Sequence, residues 1–522
     1  MKLEDAYNAA MSIVSLHGKS NDQALELIAH LTDISSVLEK IEGARHAITL
    51  SAELQARDLT DVQAASLCYY LANAWADVKK LSRRGTDTAW DWEQDEIDKE
   101  IVYLRKALIL DCSQELSDET TCRILTNLGN VFDHVGRFVE AIEYWDRALI
   151  KLPSFAMARG NKGMCLSLYA GVLYDPGHKI LFLKCAHNEI EIALASPLED
   201  GARTQFAEIN KKIESMIPAD YLQKDDYLNK YPIEATEQDI QYRQWCLVNR
   251  LFLNPLNDIE PCSMGAQDVL STPSIVVTKG EGPYYQGFYN QIKQEFVSAR
   301  YLYYEGINMK QPHFSDNGVL LIDTLDTPAY SFTVEKIKMA FRICYSLFDK
   351  TAYFLNSYLN LEIPERRVTF KTIWYESQDK DKGLTPYFQK MENWPLRGLY
   401  WLSKDLHECK DGFQDAIEPD ARELSIIRNH LEHKYFKLHN ACRPSIKSDK
   451  NRKAPELVDT LAYSVYREDF EAKTLRLMKI VRAALIYLSL GMHCNEKQRA
   501  KQSPDISVRQ IRLATMKDDK KV

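Results

Sequence analysis

The sequence has no apolar run of about 18 residues, the length that a helix needs to cross a membrane. We therefore expect no membrane-spanning segment. The N-terminus carries acidic residues early and does not have the basic and then apolar order of a secretory signal. Together these absences predict a cytoplasmic protein.

Cysteine pairs and clustered histidines are also missing. The eleven cysteines are scattered, with no CxxC pair and no histidine cluster to complete a zinc site. We expect free, buried thiols, with neither a metal nor a cofactor. No glycine-rich phosphate loop occurs, so dependence on a hydrolysed nucleotide is not indicated.

Glycine (20) and proline (18) are few among the 522 residues, and alternating strand-like runs are scarce. These features predict an all-α fold, and the length predicts more than one domain. Residues 1–240 hold 25 Lys and Arg against 39 Asp and Glu, whereas residues 241–522 hold 41 against 35. This asymmetry favours contact of the second part alone with a polyanion. Drift of surface charge between domains is the alternative.

Residues 122–155 carry the clearest repeat signal. Small residues stand where two helices would cross closely, large ones fill the gap to a neighbouring unit, and Pro153 ends the pattern. The positions concerned are Leu125, Leu128, Gly129, Phe132, Ala141, Trp145 and Ala148. This segment resembles one tetratricopeptide repeat, a unit of helix, turn and helix.

Weaker units flank this repeat, since a single repeat cannot bury its apolar face. They are marked by Leu71, Ala72, Trp75, Leu104 and Ala107 upstream and by Asn161, Lys162, Gly163 and Leu166 downstream. Residues 3–54 have the helical periodicity of a capping region. The sequence thus predicts a tetratricopeptide-like helical solenoid over residues 1–225, and the resemblance implies a protein or peptide partner rather than chemistry.

Three further segments follow the predicted solenoid: a proline-punctuated connector over 226–282, a helical bundle over 283–495 and a basic C-terminal tail over 496–522. Helices of the bundle are expected at 284–307, 334–359, 396–406, 420–438 and 457–492, with a short β segment at 367–374.

The helix predicted at 420–438 has two faces. One is an apolar stripe made by Leu424, Ile427, Leu431, Tyr435 and Leu438, and the other contains Ile426, Asn429, His433 and Phe436. Because the second face is neither wholly apolar nor freely solvated, we expect it to meet another helix or a second subunit. Arg428 lies between the faces and can reach the second.

Arg428, Asn429 and His433 resemble the R-polar-xxx-H motif of the HEPN superfamily, and the resemblance covers about residues 285–495. It implies a HEPN-like helical bundle, commonly dimeric. In many members this bundle is a metal-independent ribonuclease whose two motifs face each other across the homodimer. A tetratricopeptide region followed by such a domain also resembles bacterial toxin and phage-defence proteins.

The resemblance implies RNA as the substrate and gives each residue of the motif a role. His433 would act as base or acid, because histidine transfers protons near neutral pH. Arg428 would hold the scissile phosphate with a permanently charged fork. Asn429 would orient water, ribose or the imidazole. The expected products are a 2′,3′-cyclic phosphate and a 5′-hydroxyl.

Other interpretations of these residues remain open. Arg428 and Glu432 are spaced for an ordinary helical salt bridge, which would fit a non-catalytic scaffold that dimerises or binds nucleotides. His430 and His433 could bind a metal, although no carboxylate completes a familiar set. Candidates for supporting roles are His430, Glu432, Lys404, Asp405 and Asp349, and Arg342, Lys350 and Arg397 fit the site less specifically.

Overall fold

The structure is a computed structural model that describes residues 3–111, 115–222, 236–278, 280–324, 326, 328–407, 421–440, 459–502 and 511–521. Parts of the predicted connector and tail therefore lie outside the described residues. The N-terminal helices are α1 Leu3–Met11, α2 Asn21–Val37, α3 Ile41–Gln55, α4 Asp61–Arg83, α5 Asp95–Leu110, α6 Asp118–His134, α7 Phe138–Lys151, α8 Ala156–Val172, α9 Pro176–Leu194, α10 Asp200–Met216 and α11 Ala219–Leu222. The remaining elements are α12 Glu237–Val248, α13 Tyr284–Asn308, α14 Phe332–Tyr358, α15 Pro386–Gln389, α16 Trp394–His407, α17 Ala421–His433, β1 Phe436–His439, β2 Tyr463–Tyr466 and α18 Arg467–Gln502. The predicted all-α class is confirmed.

Helical repeats form the N-terminal part, as predicted. Helix α4 packs on α5, α6 on α7 and α8 on α9, and contacts of α5 with α6 and of α7 with α8 join these pairs into a row. The segment 122–155 falls on α6 and α7. There Gly129 faces the indole of Trp145 so closely that an added Cβ would lie 2.5 Å from its Nε1. The small residue is therefore required where the two helices cross.

The start of α9, the second helix of the downstream unit, has a local cause. Asp175 caps α9 by accepting a hydrogen bond from the backbone N–H of His178 at 2.9 Å, and Pro176 occupies the first turn. Proline suits this position because its missing N–H would have no partner there. Asp175 and Pro176 therefore set the start of the helix, after a loop of three residues like the one between α6 and α7.

The C-terminal bundle is built around α18. Helices α13 and α14 pack along each other, α18 contacts α14, α16 and α13, and α17 packs on α14 and α16. Residues 480–492 of α18 are all buried. A helix that is buried on all sides over this length belongs at the centre of a bundle.

Two predictions about α17 were wrong. The helix ends at His433, and the chain continues as β1, which pairs in parallel with β2 so that Phe436 lies opposite Tyr463. Tyr435 and Leu438 therefore do not extend the apolar stripe, and Phe436 does not extend the second face. The tertiary partner β2 overrides the helical periodicity of this segment, and an aromatic residue such as Phe436 is well suited to a strand.

The β segment predicted at 367–374 was also wrong. These residues form turns, in which the backbone N–H of Thr372 donates to Oγ1 of Thr369 at 3.2 Å. Such local side-chain bonds compete with a strand ladder. Similarly, the helix predicted from residue 457 begins only at Arg467, because β2 precedes it.

The predicted tail begins later than residue 496. Helix α18 continues to Gln502, and Glu496 is buried with its carboxylate accepting a hydrogen bond from Tyr358 at 2.7 Å. Residues 511–521 are exposed. None of the described helices is long and apolar enough to cross a membrane.

A buried ion network joins the repeats to the bundle. Asp405 on α16 accepts two hydrogen bonds from Arg105 on α5, at 2.6 and 2.9 Å, and another from Arg137 at the start of α7. Arg137 also donates to Glu140, which in turn accepts from Tyr487 on α18. Because buried charges are tolerated only when they are paired, this network requires both parts of the chain.

Candidate active site

The Arg-Asn-xxx-His motif stands on the outward face of α17. Leu424, Ile427 and Leu431 are buried against the bundle, so the remaining side chains of the helix turn away from the core. Arg428 is half-buried, whereas Asn429 and His433 are exposed. The motif is thus accessible to a large ligand.

A groove of about 590 Å³ lies between α17 and α14. Arg428, Glu432 and His433 line it from α17. The residues that line it from other parts of the bundle are Phe288, Arg342, Tyr345, Ser346, Asp349, Lys350, Tyr353 and Val368. Basic, acidic and aromatic groups therefore surround Arg428 and His433, whereas Asn429 is not among the residues that line the groove.

Arg428 is held by neutral groups. Its guanidinium carbon lies 5.7 Å from the centre of the Tyr345 ring, and Nη1 donates to Oδ1 of Asn429 at 3.0 Å. Within the described part of the chain, Arg428 forms no ion pair with a carboxylate. The alternative salt bridge with Glu432 is not formed, since Oε1 of Glu432 instead lies 3.6 Å from Nε of Arg342.

The sequence did not single out Tyr345 as a functional residue. Burial raises the pKa of its phenol, while a hydrogen bond with Ser425 and the charge of Arg428 act in the opposite direction. A neutral ring beneath a guanidinium attracts the cation without cancelling its charge. The sequence feature that could have identified Tyr345 is its position three residues after Arg342 and four before Asp349, which places the three side chains on one face of α14.

Helix α14 also fixes the end of α17. Nη2 of Arg342 donates to the carbonyl oxygen of Leu431, one of the last-turn carbonyls that have no partner within their own helix. Leu431 stands two residues before His433. The contact therefore stabilises the turn that carries the histidine.

The other charged residues of the groove are engaged. Oδ1 of Asp349 accepts a hydrogen bond from the backbone N–H of Phe370 at 3.0 Å. Nζ of Lys350 lies 2.5 Å from both carboxylate oxygens of Glu295 on α13. Asp349 and Glu432, two of the candidates for supporting roles, thus line the groove. Each of them also has a partner within the fold.

His430 does not line the groove. Its Nδ1 lies 2.8 Å from the carbonyl oxygen of Ile426, and its ring centre is 5.1 Å from that of Tyr463. Among the described residues, no cluster suited to a metal ion includes His430 or His433. The two histidines therefore lie in different environments, His430 beside Tyr463 and His433 at the groove.

Lys404 and Asp405 are also not brought to the groove. Nζ of Lys404 pairs with Asp98 on α5 at 2.7 Å, and Asp405 belongs to the buried network with Arg105 and Arg137. Both side chains face the repeats. A role beside His433, which the sequence suggested for them, does not fit this placement.

Residues 276–495 match a family described as LA2681-like HEPN. The match covers less than half of the chain and includes every element from α13 to α17 together with most of α18. It supports a C-terminal HEPN domain, a class of domain that is commonly a ribonuclease. No curated protein and no solved structure matches the chain.

Proposed function

We propose that the chain is a ribonuclease that cleaves RNA without a metal ion in the groove between α14 and α17. The observation that carries the proposal is the pairing of Arg428, whose charge no described carboxylate neutralises, with the exposed His433 in one groove. A phosphodiester needs a cation at its oxygens and a proton carrier at its ribose. These two side chains supply both.

In this mechanism the ribose 2′-oxygen attacks the phosphorus, and the bond from phosphorus to the 5′-oxygen breaks. The guanidinium of Arg428 binds the non-bridging oxygens, whose charge increases in the transition state. Asn429 and Tyr345 hold that guanidinium in place. The products are a 2′,3′-cyclic phosphate and a 5′-hydroxyl.

Two protons move in this reaction, one from the 2′-hydroxyl and one to the 5′-oxygen. The His433 of one chain serves as the base or as the acid, and so carries out one of these two proton transfers. We propose that the chain forms a homodimer in which the exposed faces of two α17 helices approach each other. The second copy would then supply the other proton-transfer group.

The repeats are proposed to recruit or restrain the nuclease through a protein or peptide partner, with growth arrest or phage defence as the outcome. One edge of the solenoid is already covered by the bundle. The indole of Trp394 donates to the carbonyl oxygen of Asp133, and Trp401 donates to that of Trp92. The partner would therefore use another face of the repeats.

A panel of variants tests the proposal with total cellular RNA in EDTA. We expect His433→Ala to lower the cleavage rate by about 10²-fold or more, the size of a general acid or base contribution. Arg428→Gln should cause a loss of about 10²-fold, as for removal of a group that stabilises an oxyanion.

His430→Ala is the matched control, because His430 lies on the same helix but outside the groove. It should retain cleavage. If wild type and all three variants are folded dimers that behave alike, the ribonuclease proposal fails and the bundle is a scaffold.

A further inference from the structure

The groove between α14 and α17 continues well beyond the two residues that are proposed to cleave RNA. Six residues of α14 line it, at spacings of three and four that place them on one helix face. They are Arg342, Tyr345, Ser346, Asp349, Lys350 and Tyr353. Tyr353 follows Tyr345, the ring beneath Arg428, by eight residues, or about 12 Å along the helix axis. The groove therefore has a motif end at Arg428 and His433 and a far end at Tyr353.

Aromatic rings form the far end of the groove. The ring centre of Tyr353 lies 5.8 Å from that of Phe288 on α13, with the two ring planes at 75°. Phe288 in turn packs on Phe354, with ring centres 5.5 Å apart. The hydroxyl of Tyr353 donates a hydrogen bond to Oε1 of Glu365 at 2.8 Å. The ring of Tyr353 is therefore held between Phe288 and Glu365, although 41% of the residue remains exposed.

The two ends of the groove differ in charge. At the motif end, the guanidinium of Arg428 is held by the Tyr345 ring and by Asn429, without an ion pair among the described residues. At the far end, Nζ of Lys350 lies 2.5 Å from both carboxylate oxygens of Glu295. A phosphate needs a cation that is not already paired, so it suits the motif end. The far end instead offers an exposed ring beside carboxylates, which suits a neutral ring and would repel a phosphate.

We propose that Tyr353 stacks on an unpaired base of the same RNA strand whose scissile phosphate is bound by Arg428. The inference rests on the proposed ribonuclease function and adds a subsite that the motif does not contain. Stacked nucleotides of one strand are about 3.4 Å apart, so a distance of about 12 Å corresponds to a base roughly three nucleotides from the cleaved bond. Because every base has a π-face, the subsite accepts any base. It does not accept the bases of a duplex, which are already stacked on their neighbours.

Fluorescence anisotropy with a labelled RNA tests the subsite in the His433→Ala protein, which serves as the parent because it should cleave the probe only slowly. The probe is a single strand of mixed sequence and about 12 nucleotides, a length within the usual range of single-strand binding sites. We expect Tyr353→Ala to weaken binding by about fivefold or more, the contribution of one stacked base. Tyr353→Phe keeps the ring and should bind like the parent.

Two controls separate base stacking from a change in the shape of the groove. The first is the same RNA annealed to its complement, for which Tyr353→Ala should lose no affinity because paired bases are not free to stack. The second is Tyr301→Ala, since Tyr301 on α13 is 40% exposed, much like Tyr353, but does not line the groove. Tyr301→Ala should bind the single strand like the parent. Circular dichroism verifies that each variant is folded.

The subsite is wrong if folded Tyr353→Ala binds the single strand as tightly as Tyr301→Ala, or if it loses affinity for the duplex by the same factor. It is equally wrong if the parent binds no RNA. The ribonuclease proposal is judged separately, by cleavage with the wild type. Cleavage together with unchanged binding by Tyr353→Ala overturns the subsite alone. Weaker single-strand binding by Tyr353→Ala, without cleavage by the wild type, overturns the ribonuclease and keeps Tyr353 as a base-binding residue.

Discussion

At the scale of single residues, Arg428 differs from the buried arginines that form ion pairs, and also from Arg397, whose guanidinium donates to the backbone carbonyls of His134 and Asp91. Arg105, Arg137, Arg300 and Arg482 are all paired with carboxylates, and their charges are used to hold the fold together. Arg428 is held by a ring and an amide instead. Its charge therefore remains available for a phosphate.

Replacement of Tyr345 tests this view of Arg428. Tyr345→Leu removes the ring beneath the guanidinium, an interaction worth about 0.5–2 kcal/mol. We expect RNA cleavage to fall several-fold while the chain remains folded. Tyr345→Phe keeps the ring and should cleave nearly as fast as the wild type. Equal rates for Leu and Phe in a cleavage assay would show that the ring does not position Arg428.

Removal of the charge on Asp405 should destabilise the whole chain. Asp405→Asn leaves two buried guanidiniums undercompensated, which costs about 3–5 kcal/mol. Chemical denaturation measures this loss. Glu119→Gln breaks an exposed pair with Arg123 and should change stability by less than about 1 kcal/mol. A small effect of Asp405→Asn would contradict the structural role of the network.

At the scale of elements, the repeats and the bundle approach each other closely at two glycines. An added Cβ on Gly398 of α16 would collide with the backbone carbonyl of Gly136, which precedes α7 and has a φ of +89°. Only a residue without a side chain permits this contact. The packing of α16 against the repeats therefore depends on Gly398.

Gly398→Ala should force α16 away from the α6–α7 turn. We expect the free energy of unfolding to fall by about 1–3 kcal/mol, as for other overpacked sites. Gly201→Ala on α10 meets nothing within 4 Å and serves as the control. It should stabilise the chain by up to about 1 kcal/mol through helix propensity. Denaturation curves in which Gly398→Ala is as stable as the wild type would contradict this packing.

Helical periodicity predicted α13, α14 and α16 closely, because their apolar faces are continuous in sequence. It failed after His433, where β1 pairs with β2 from more than 20 residues further along the chain. That pairing is a long-range interaction, which local periodicity does not contain. The repeat on α6 and α7 was predictable because its packing is between neighbours in sequence.

At the scale of the whole molecule, the motif could be recognised from residues 428–433, but the groove could not. The groove depends on how α14 lies against α17, and this placement brings Arg342 and Tyr345 to the motif. The same reason explains the misplacement of Lys404 and Asp405, whose partners are about 300 positions earlier on the repeats. Sequence spacing alone does not reveal such partners.

Stability should decrease in mild acid because the fold keeps several partly buried histidines in the neutral form. Burial lowers the pKa of His134 to about 3 and those of His407 and His493 to about 4. The unfolded histidines bind protons below about pH 6.5, so the free energy of unfolding falls between about pH 6.5 and 4. Burial raises the pKa of Asp133 to about 6 and also raises the pKa values of Asp33 and Asp77, which opposes this trend. Burial lowers the pKa of His178 as well, so four histidines act in favour of the trend.

Urea denaturation at pH 7 and pH 5 checks this prediction. We expect a lower midpoint at pH 5. An equal or higher midpoint at pH 5 would mean that these histidines are not kept neutral by the fold.

The chemistry of the RNA ends that the wild-type chain produces in EDTA tests the proposed reaction most directly. We expect fragments with 2′,3′-cyclic phosphate and 5′-hydroxyl ends, formed equally well with and without EDTA and formed about 10²-fold more slowly with His433→Ala. Fragments with 3′-hydroxyl ends, or cleavage that EDTA abolishes, would contradict a metal-independent reaction at Arg428 and His433.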